Sequence, residues 1–455
     1  MVNPVRRRSK SRKVLNLWMN GQLVGTWQVR KNRPHKFQYA DTWLHSPYRR
    51  ILSLSMPFQP GNRSFEGDLV ENFFDNLLPE NGEIRRRIQS NFGIKDGSPF
   101  DLLAEIGRDC VGAIQLLPED EEPGGWNKIE ARPLSDLEVE KHLNAVVATV
   151  LAGEKQEEFR ISIAGSQEKT ALLWHNNQWH MPIGSTPTTH IMKLPLGLVG
   201  NMGADMSSSI ENEWLCFKIM QAYGIEIAHC EMAQFGETKA LVVKRFDRQL
   251  SKKGTFWLRL PLEDMCQALG VPPSMKYESD GGPGMASILK LLRGSSKPKQ
   301  DRLTFYKTQI LFWMLAATDG HAKNFSIFHE ASDTYRMTPL YDVLSTWPIM
   351  GNKANNLSWH KAKLAMAFRS KNVHYKLKDI SPRHFYTVAG KLGLGGEIRK
   401  TVEGILEMTP KVISNVTNML PKRFPMQVAD TIITGLRKSA EKIHMMECQL
   451  RNLPE

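Results

Sequence analysis

The sequence predicts an α+β protein of two lobes, one β-rich and one helical, preceded by a small α+β subdomain. Short β-prone runs bounded by turn residues dominate residues 14–29 and about 155–250. Beyond "LPLEDMCQAL" the apolar residues recur mainly at helical spacing. The chain has 455 residues, 41% hydrophobic and 24% charged, which is too long for one core and ordinary for a folded globular protein. These features set the division 14–125, 126–250 and 251–455, with residues 1–13 as a basic arm.

That arm carries Arg6, Arg7, Arg8, Lys10, Arg12 and Lys13, a pattern suited to contacting DNA phosphates. The whole chain is +13 at pH 7, a balance that favours anionic partners. "VLNLWMNGQLVGTWQV" then reads as two strands around Asn20–Gly21, the pair that fits a tight hairpin. From "SFEGDLVENFFDNLL" the pattern turns helical, with Leu69, Phe73, Leu77 and Leu78 on one side. "PEDEEPGGW" (118–126) is acidic with paired glycines and marks a loop between subdomains.

The second unit holds "FRISIAG", "TALLWHNNQWHMP", "THIMKLP" and "KALVVKRFD" as strands, with the helix "SSSIENEWLCFKIMQAYGI" inserted before the last. The third contains "FYKTQILFWMLAA", whose eight apolar residues 310–317 read as a buried helix ended by Thr318–Asp319–Gly320. It closes on "DTIITGLRKSAEKIHMMECQL", with Ile432, Ile433, Leu436, Ala440 and Ile443 at helical spacing. No apolar run approaches the roughly 20 residues of a membrane span. Polar residues and a turn stand where a secretory leader needs an apolar stretch, so we expect a cytoplasmic protein. Cys110, Cys216, Cys230, Cys266 and Cys448 are scattered without metal-binding spacing and read as reduced, mostly buried thiols.

A β-rich lobe followed by a helical lobe is how a two-lobed kinase is built, and kinase-like parts occur in the right order. In "DGHAKN", Asp319 and Asn324 are separated by five positions, like the Asp and Asn of the kinase catalytic loop. The Asp would take a hydroxyl proton and the Asn would hold a metal. Asp342 in "PLYDVLS" is a second oxygen donor, and Mg²⁺ prefers such hard ligands. Lys193 in "THIMKLP" follows a β run, like the strand lysine that meets ATP phosphates. "ISIAGSQEKTALLW" places a small-residue turn between two β runs, a shape that lays backbone N–H groups over phosphate oxygens. No GxGxxG and no HRD are present, which excludes an ordinary protein kinase. "YESDGGPGMA" (277–286) lacks the Lys-Ser/Thr of a P-loop and reads as a structural turn. His321 alone gives weak support to a metal-dependent phosphohydrolase, because no second histidine stands at helical spacing from it.

Together "ISIAGSQEKTALL", "THIMKLP", "VVKRFDR", "LPLEDMCQALG", "KYESDGGPG", "ATDGHAKNFS" and "PLYDVLS" resemble the HipA family, serine/threonine kinase toxins of type II toxin–antitoxin modules. The resemblance runs from "LNLWMNGQLVG" to the C-terminal helices. It implies an α+β, two-lobed kinase-like fold with an N-terminal α/β domain of two subdomains and an all-helical C-terminal domain. It also implies ATP and Mg²⁺ as cofactors, Asp319 as catalytic base, and Asn324 and Asp342 as metal ligands. The ATP site it implies takes in Ala164, Gly165, Ser166, Gln167, Glu168, Lys169, Lys193, the connector Lys244–Arg245–Phe246, His321, Lys323, Asn324, Tyr341 and Asp342. Many relatives carry Glu where this chain has Lys244, a change that backbone contacts to adenine would tolerate.

Ser162 matches the serine that HipA kinases autophosphorylate. A phosphate there adds roughly −1.5 to −2 charges beside the nucleotide turn, which implies self-inactivation by repelling ATP. Relatives phosphorylate glutamyl-tRNA synthetase, causing growth arrest and antibiotic tolerance. They also bind a helix-turn-helix antitoxin, HipB, and with it operator DNA, so this chain is expected to act in a bacterial cytoplasm and at the nucleoid. No helix-turn-helix is evident here, which leaves base reading to the antitoxin. The alternative is a DNA-associated corepressor whose kinase site is vestigial.

Overall fold

The structure is a computed structural model that describes residues 14–147, 167–200 and 202–451. The basic arm, Ser162 and the turn residues Ala164, Gly165 and Ser166 lie outside the described residues.

Strands Val14–Met19 and Gln22–Gln28 pair antiparallel across Asn20 and Gly21. Both turn residues have left-handed φ, 46° and 79°, which Asn and Gly adopt at least cost and which matches the twist of the flanking strands. Leu15, Leu17 and Met19 alternate inward from the first strand. They meet helices Asp68–Asp75 and Pro99–Ile106, and Trp27 stacks on Phe74 at 4.0 Å between ring centroids. Strands Lys36–Tyr39, Phe65–Glu66 and Gln115–Pro118 complete this five-stranded sheet.

A second, six-stranded sheet has the order Cys230–Phe235, Thr238–Lys244, His190–Lys193, Lys169–His175, Gln178–Pro182, Ala131–Pro133, with every pairing antiparallel. The hairpin in "TALLWHNNQWHMP" turns on Asn176 and Asn177, again both left-handed. One face of this sheet packs on helix Asp136–Val147 through Val139 and Leu143. The other faces the helical lobe.

Helix Ser209–Ala222, inserted in the sequence of the β-rich lobe, belongs to the largest core together with helices Pro298–Leu315, Gly395–Asn418 and Met426–Arg451. It is buried on nearly all sides, which is why its sequence lacks a one-sided apolar stripe. The C-terminal lobe is not all-helical. Strands Leu262–Asp264, Ser326–His329 and Tyr335–Met337 form a three-stranded sheet, and Lys363–Arg369 pairs with Val373–Lys376. Apart from the seven-residue Lys363–Arg369, these are pieces of three or four residues, too short to stand out from their helical surroundings by period alone. Four of the cysteines are buried and Cys448 is exposed, all of them free thiols. No helix among the described residues is long and apolar enough to cross a membrane.

Candidate active site

The apolar run 310–317 forms the end of helix Pro298–Leu315, and Ala316 stops it in a left-handed conformation (φ 49°). The chain then emerges at Asp319, the exposed residue of the loop. A side chain at Gly320 would overlap the ring of Phe312, so only glycine lets this loop lie against the helix that carries it. His321 and Asn324 turn back into the protein and are buried. Asn324 donates from Nδ2 to the main-chain oxygen of Asp342 at 3.1 Å, which fixes its amide orientation.

Asp342 has φ 61°, a costly conformation for a non-glycine residue that persists where surrounding contacts enforce it. Its Oδ1 accepts from Lys193 Nζ at 2.7 Å, and the same ammonium donates to Glu213 Oε1 at 2.6 Å. Lys193 ends a central strand of the six-stranded sheet, and Glu213 lies on the buried helix Ser209–Ala222. One ammonium thus ties the sheet, the helix and the loop of Asp342 together. Burial opposes the charge on Lys193, but Asp342 and Glu213 outweigh it and hold the lysine protonated well above its ordinary range. Burial also raises the Asp342 carboxyl, and the stronger pull of Lys193 and Lys169 takes it well below the usual carboxylate range. Glu213 is left with the weaker share: burial, reinforced by Asp342, pushes it up to about 7 despite Lys193.

Lys169 stands directly opposite Lys193 in the sheet register, and burial lowers its pKa. Two cross-strand lysines on one face repel each other. Asp342 and Glu213 offset that repulsion, so two lysines and two carboxylates together form the floor of a cleft of about 1090 Å³, measured out to its open mouth. The cleft brings together Lys169, Lys193, Lys244, Arg245, Phe246, Asp319, His321, Lys323, Asn324, Tyr341 and Asp342. Gln167 and Glu168 stand apart from its lining. Gln167 donates to the Leu194 carbonyl at 2.6 Å, and Glu168 pairs with Arg87 of the N-terminal subdomain.

Three residues read as nucleotide contacts have their side chains engaged by protein. Lys323 Nζ donates to Asp264 Oδ2 at 2.6 Å and to the main-chain and side-chain oxygens of Asn76, both at 2.9 Å. Arg245 is buried among Asp109, Asp247, Arg248 and Arg259, donating to Asp247 Oδ2 at 2.8 Å. Tyr341 donates to the Lys323 carbonyl at 2.8 Å and shares a 2.5 Å hydrogen bond with Ser326. Phe246 packs against Phe328 and Tyr341, and Lys244 is exposed at the strand end.

Sequence reasoning missed several residues that the fold delivers to the cleft. Glu213 is one; Asn76 and Glu80, from the N-terminal subdomain, are others. Glu80 pairs with Lys276, and Tyr277, next to that lysine, donates its hydroxyl to Asp319 Oδ1. Tyr277 opens the glycine-rich stretch 277–286, which reads in sequence as a structural turn, and its partner Asp319 lies 42 positions downstream.

The donor chemistry fits Mg²⁺. Asp342 Oδ2 has no hydrogen-bond partner among the described residues, and Asn324 is anchored through its nitrogen, leaving its amide oxygen as a second hard donor. Among the described residues there is no group of three or more His, Cys, Asp or Glu arranged for a metal, so any Mg²⁺ here would need further ligands from phosphate and water.

Comparison with known proteins agrees with this architecture. Residues 15–117 match the HipA N-terminal domain and residues 161–416 match the HipA-like C-terminal domain. The chain is 32% identical over 413 residues to the putative kinase Y4mE of Sinorhizobium fredii, covering 89% of this chain and 92% of that one. It is 26% identical over 413 residues to the serine/threonine-protein kinase toxin HipA of Shewanella oneidensis, covering 87% and 83%. A solved structure of the Shewanella oneidensis toxin–antitoxin system, HipA with HipB and operator DNA, superposes with a TM-score of 0.77 at 22% identity, covering 97% of this chain and all of that one. The chain belongs to the HipA family of kinases.

Proposed function

We propose that this chain is an ATP- and Mg²⁺-dependent protein serine/threonine kinase acting as a HipA-type toxin. The observation that carries the reading is Lys193, bonded at once to Glu213 and Asp342 on the floor of the cleft. A lysine paired with a helix glutamate, beside a carboxylate that faces the metal, is the arrangement on which kinase phosphoryl transfer depends. Mg²⁺, when bound, neutralises phosphate charge. Asn324 and Asp342 would hold it, while Lys193 and Lys169 bind phosphate oxygens. The substrate hydroxyl oxygen forms a bond to the γ-phosphorus as the bond to the β,γ-bridging oxygen breaks. ADP leaves with that electron pair, and Asp319 takes the hydroxyl proton.

The adenine side would be held by the backbone of Lys244–Arg245–Phe246, since the Arg245 guanidinium is engaged elsewhere. His321 faces the phosphates, and Lys323 and Tyr341 hold the loop they share. Ala164, Gly165, Ser166 and Lys169 would contact the phosphates, the side chains of Gln167 and Glu168 being engaged by Leu194 and Arg87, and phosphate on Ser162 would end activity by repelling ATP. Residues 14–125, 126–250 and 251–455 are the working units, with 1–13 as a DNA-contacting arm. By its family, the substrate is glutamyl-tRNA synthetase, and a HipB-like antitoxin is the partner through which the chain reaches operator DNA, as in the Shewanella oneidensis complex of HipA, HipB and operator DNA. The positive charge of the chain supports the DNA contact.

The test is intact-mass spectrometry before and after incubation with ATP and Mg²⁺, with Asp319→Asn in parallel and peptide mapping across Ser162. The reading expects added phosphate in the wild type alone. Binding of the antitoxin–operator complex with no ATP consumed would favour a corepressor with a vestigial kinase site.

A further inference from the structure

The glycine-rich stretch 277–286 lies outside the kinase parts identified above, yet it reaches the centre of the site. Tyr277 donates its hydroxyl to Asp319 Oδ1, and no other hydrogen bond to either side-chain oxygen of Asp319 occurs among the described residues. Burial and the adjoining Asp319 push the phenol pKa well above its ordinary range, so this group remains a donor and is no proton acceptor.

The surroundings are built to hold that ring. It meets His321 edge-on at 5.1 Å between centroids, and the Lys276 ammonium lies over it at 5.2 Å. Lys276 is pinned by Glu80 of the N-terminal subdomain, and its carbonyl accepts from Ala322 N at 3.2 Å, inside the loop that carries Asp319. On the other side the chain folds back sharply. A side chain at Gly282 would overlap the Met275 carbonyl, and one at Gly284 would overlap the Glu278 carboxylate. That carboxylate accepts from Ala367 N at 2.7 Å and pairs with Arg369. The glycines thus let residues 275–284 pack on themselves while Glu278 anchors them to the strand Lys363–Arg369.

We infer that Tyr277 is a positioning residue for the phosphoryl-transfer base, with the glycine-rich stretch as its mount. This rests on the assignment of Asp319 as base. By holding Oδ1, the phenol fixes the carboxylate plane and leaves Oδ2 to accept the substrate hydroxyl proton. Lys276 and Glu80 extend the same support to the N-terminal subdomain.

Tyr277→Phe in the full chain removes one hydroxyl and keeps the ring. γ-Phosphate transfer from labelled ATP to the chain and to water is followed with Mg²⁺ present, together with ATP KM and the melting temperature. Loss of one hydrogen bond to a charged group predicts a kcat about 10- to 100-fold lower. ATP KM should stay within about twofold, because the phenol acts only on the transfer step. Tyr277→Leu, which also removes the ring contacts, should lower kcat at least as far. An active wild type with an unchanged kcat in Tyr277→Phe overturns the inference and leaves the kinase reading standing. A raised kcat overturns it too, since the phenol would then be blocking the base. A kcat loss matched by an equal rise in ATP KM, or by a collapse in melting temperature, makes the role structural and also overturns it. No transfer by the wild type sinks the kinase reading and this inference together.

Discussion

Replacing Glu213 by Gln isolates the most unusual electrostatic feature of the cleft. The substitution keeps the volume and leaves an oxygen to accept from Lys193, but removes a carboxyl that burial lifts from 4.5 to about 7. A folded-state value above the unfolded one means that this group favours the folded protein when protonated. Its contribution is therefore fully present below about pH 4.5 and is lost as pH rises through about 7. At about 1.36 kcal/mol per unit, the whole shift amounts to roughly 3 kcal/mol, of which about 2 to 3 kcal/mol falls between pH 5 and pH 8. Glu213 is 1% exposed, so solvent screening does not diminish this figure much. The assay is denaturant unfolding of wild type and Glu213→Gln at half-unit steps over that window. Histidines that titrate there are common to both proteins and cancel in the difference. The variant should gain on the wild type by about 2 to 3 kcal/mol from the acid end to the alkaline end. A difference that stays flat to within about 0.5 kcal/mol would refute the argument, because Glu213 would then ionise equally readily folded and unfolded.

Two other substitutions probe the scaffold. Asp109→Ala strips the buried acceptor shared by Arg248 Nη2 at 2.8 Å and Arg259 Nε at 3.2 Å; leaving those guanidinium groups underpaired should cost roughly 3–5 kcal/mol in unfolding experiments, and a loss below about 1 kcal/mol would show that Asp247 suffices. Gly320→Ala drives a methyl into Phe312, so we expect a destabilisation of roughly 1–3 kcal/mol on thermal or denaturant melting, and an unchanged melt would mean that the loop is free to move away.

Much of the site was legible where local chemistry decides structure. Asn20–Gly21 announces a tight hairpin because few other residues adopt left-handed backbone, whereas the run "TALLWHNNQWHMP" hides a second one at Asn176–Asn177. The apolar run 310–317 announces a buried helix end, and the polar loop after it follows from that. What the sequence does not display is which partner a long-range fold will bring to a charge. Glu213 sits on a helix buried all round, where period gives no inward face. Lys323 reads as a phosphate contact until Asn76 and Asp264 arrive, 247 and 59 positions away in sequence. Arg245 likewise has its guanidinium engaged by Asp109, 136 positions away. The short strands of the C-terminal lobe were missed for a related reason: Leu262–Asp264 is a strand because Ser326–His329 pairs with it, and three residues carry no period of their own.

The central claim is that the Lys193–Asp342–Asn324 floor and Asp319 together move a phosphate. The most direct measurement is γ-phosphate transfer from ATP with Mg²⁺ by wild type, Asp319→Asn and Asp342→Ala, run beside ATP binding by each protein. The account predicts transfer by the wild type only, with Asp319→Asn still binding ATP and both variants slower by about 1,000-fold or more. Equal transfer by the wild type and Asp319→Asn, or ATP binding without transfer in all three proteins, would contradict it.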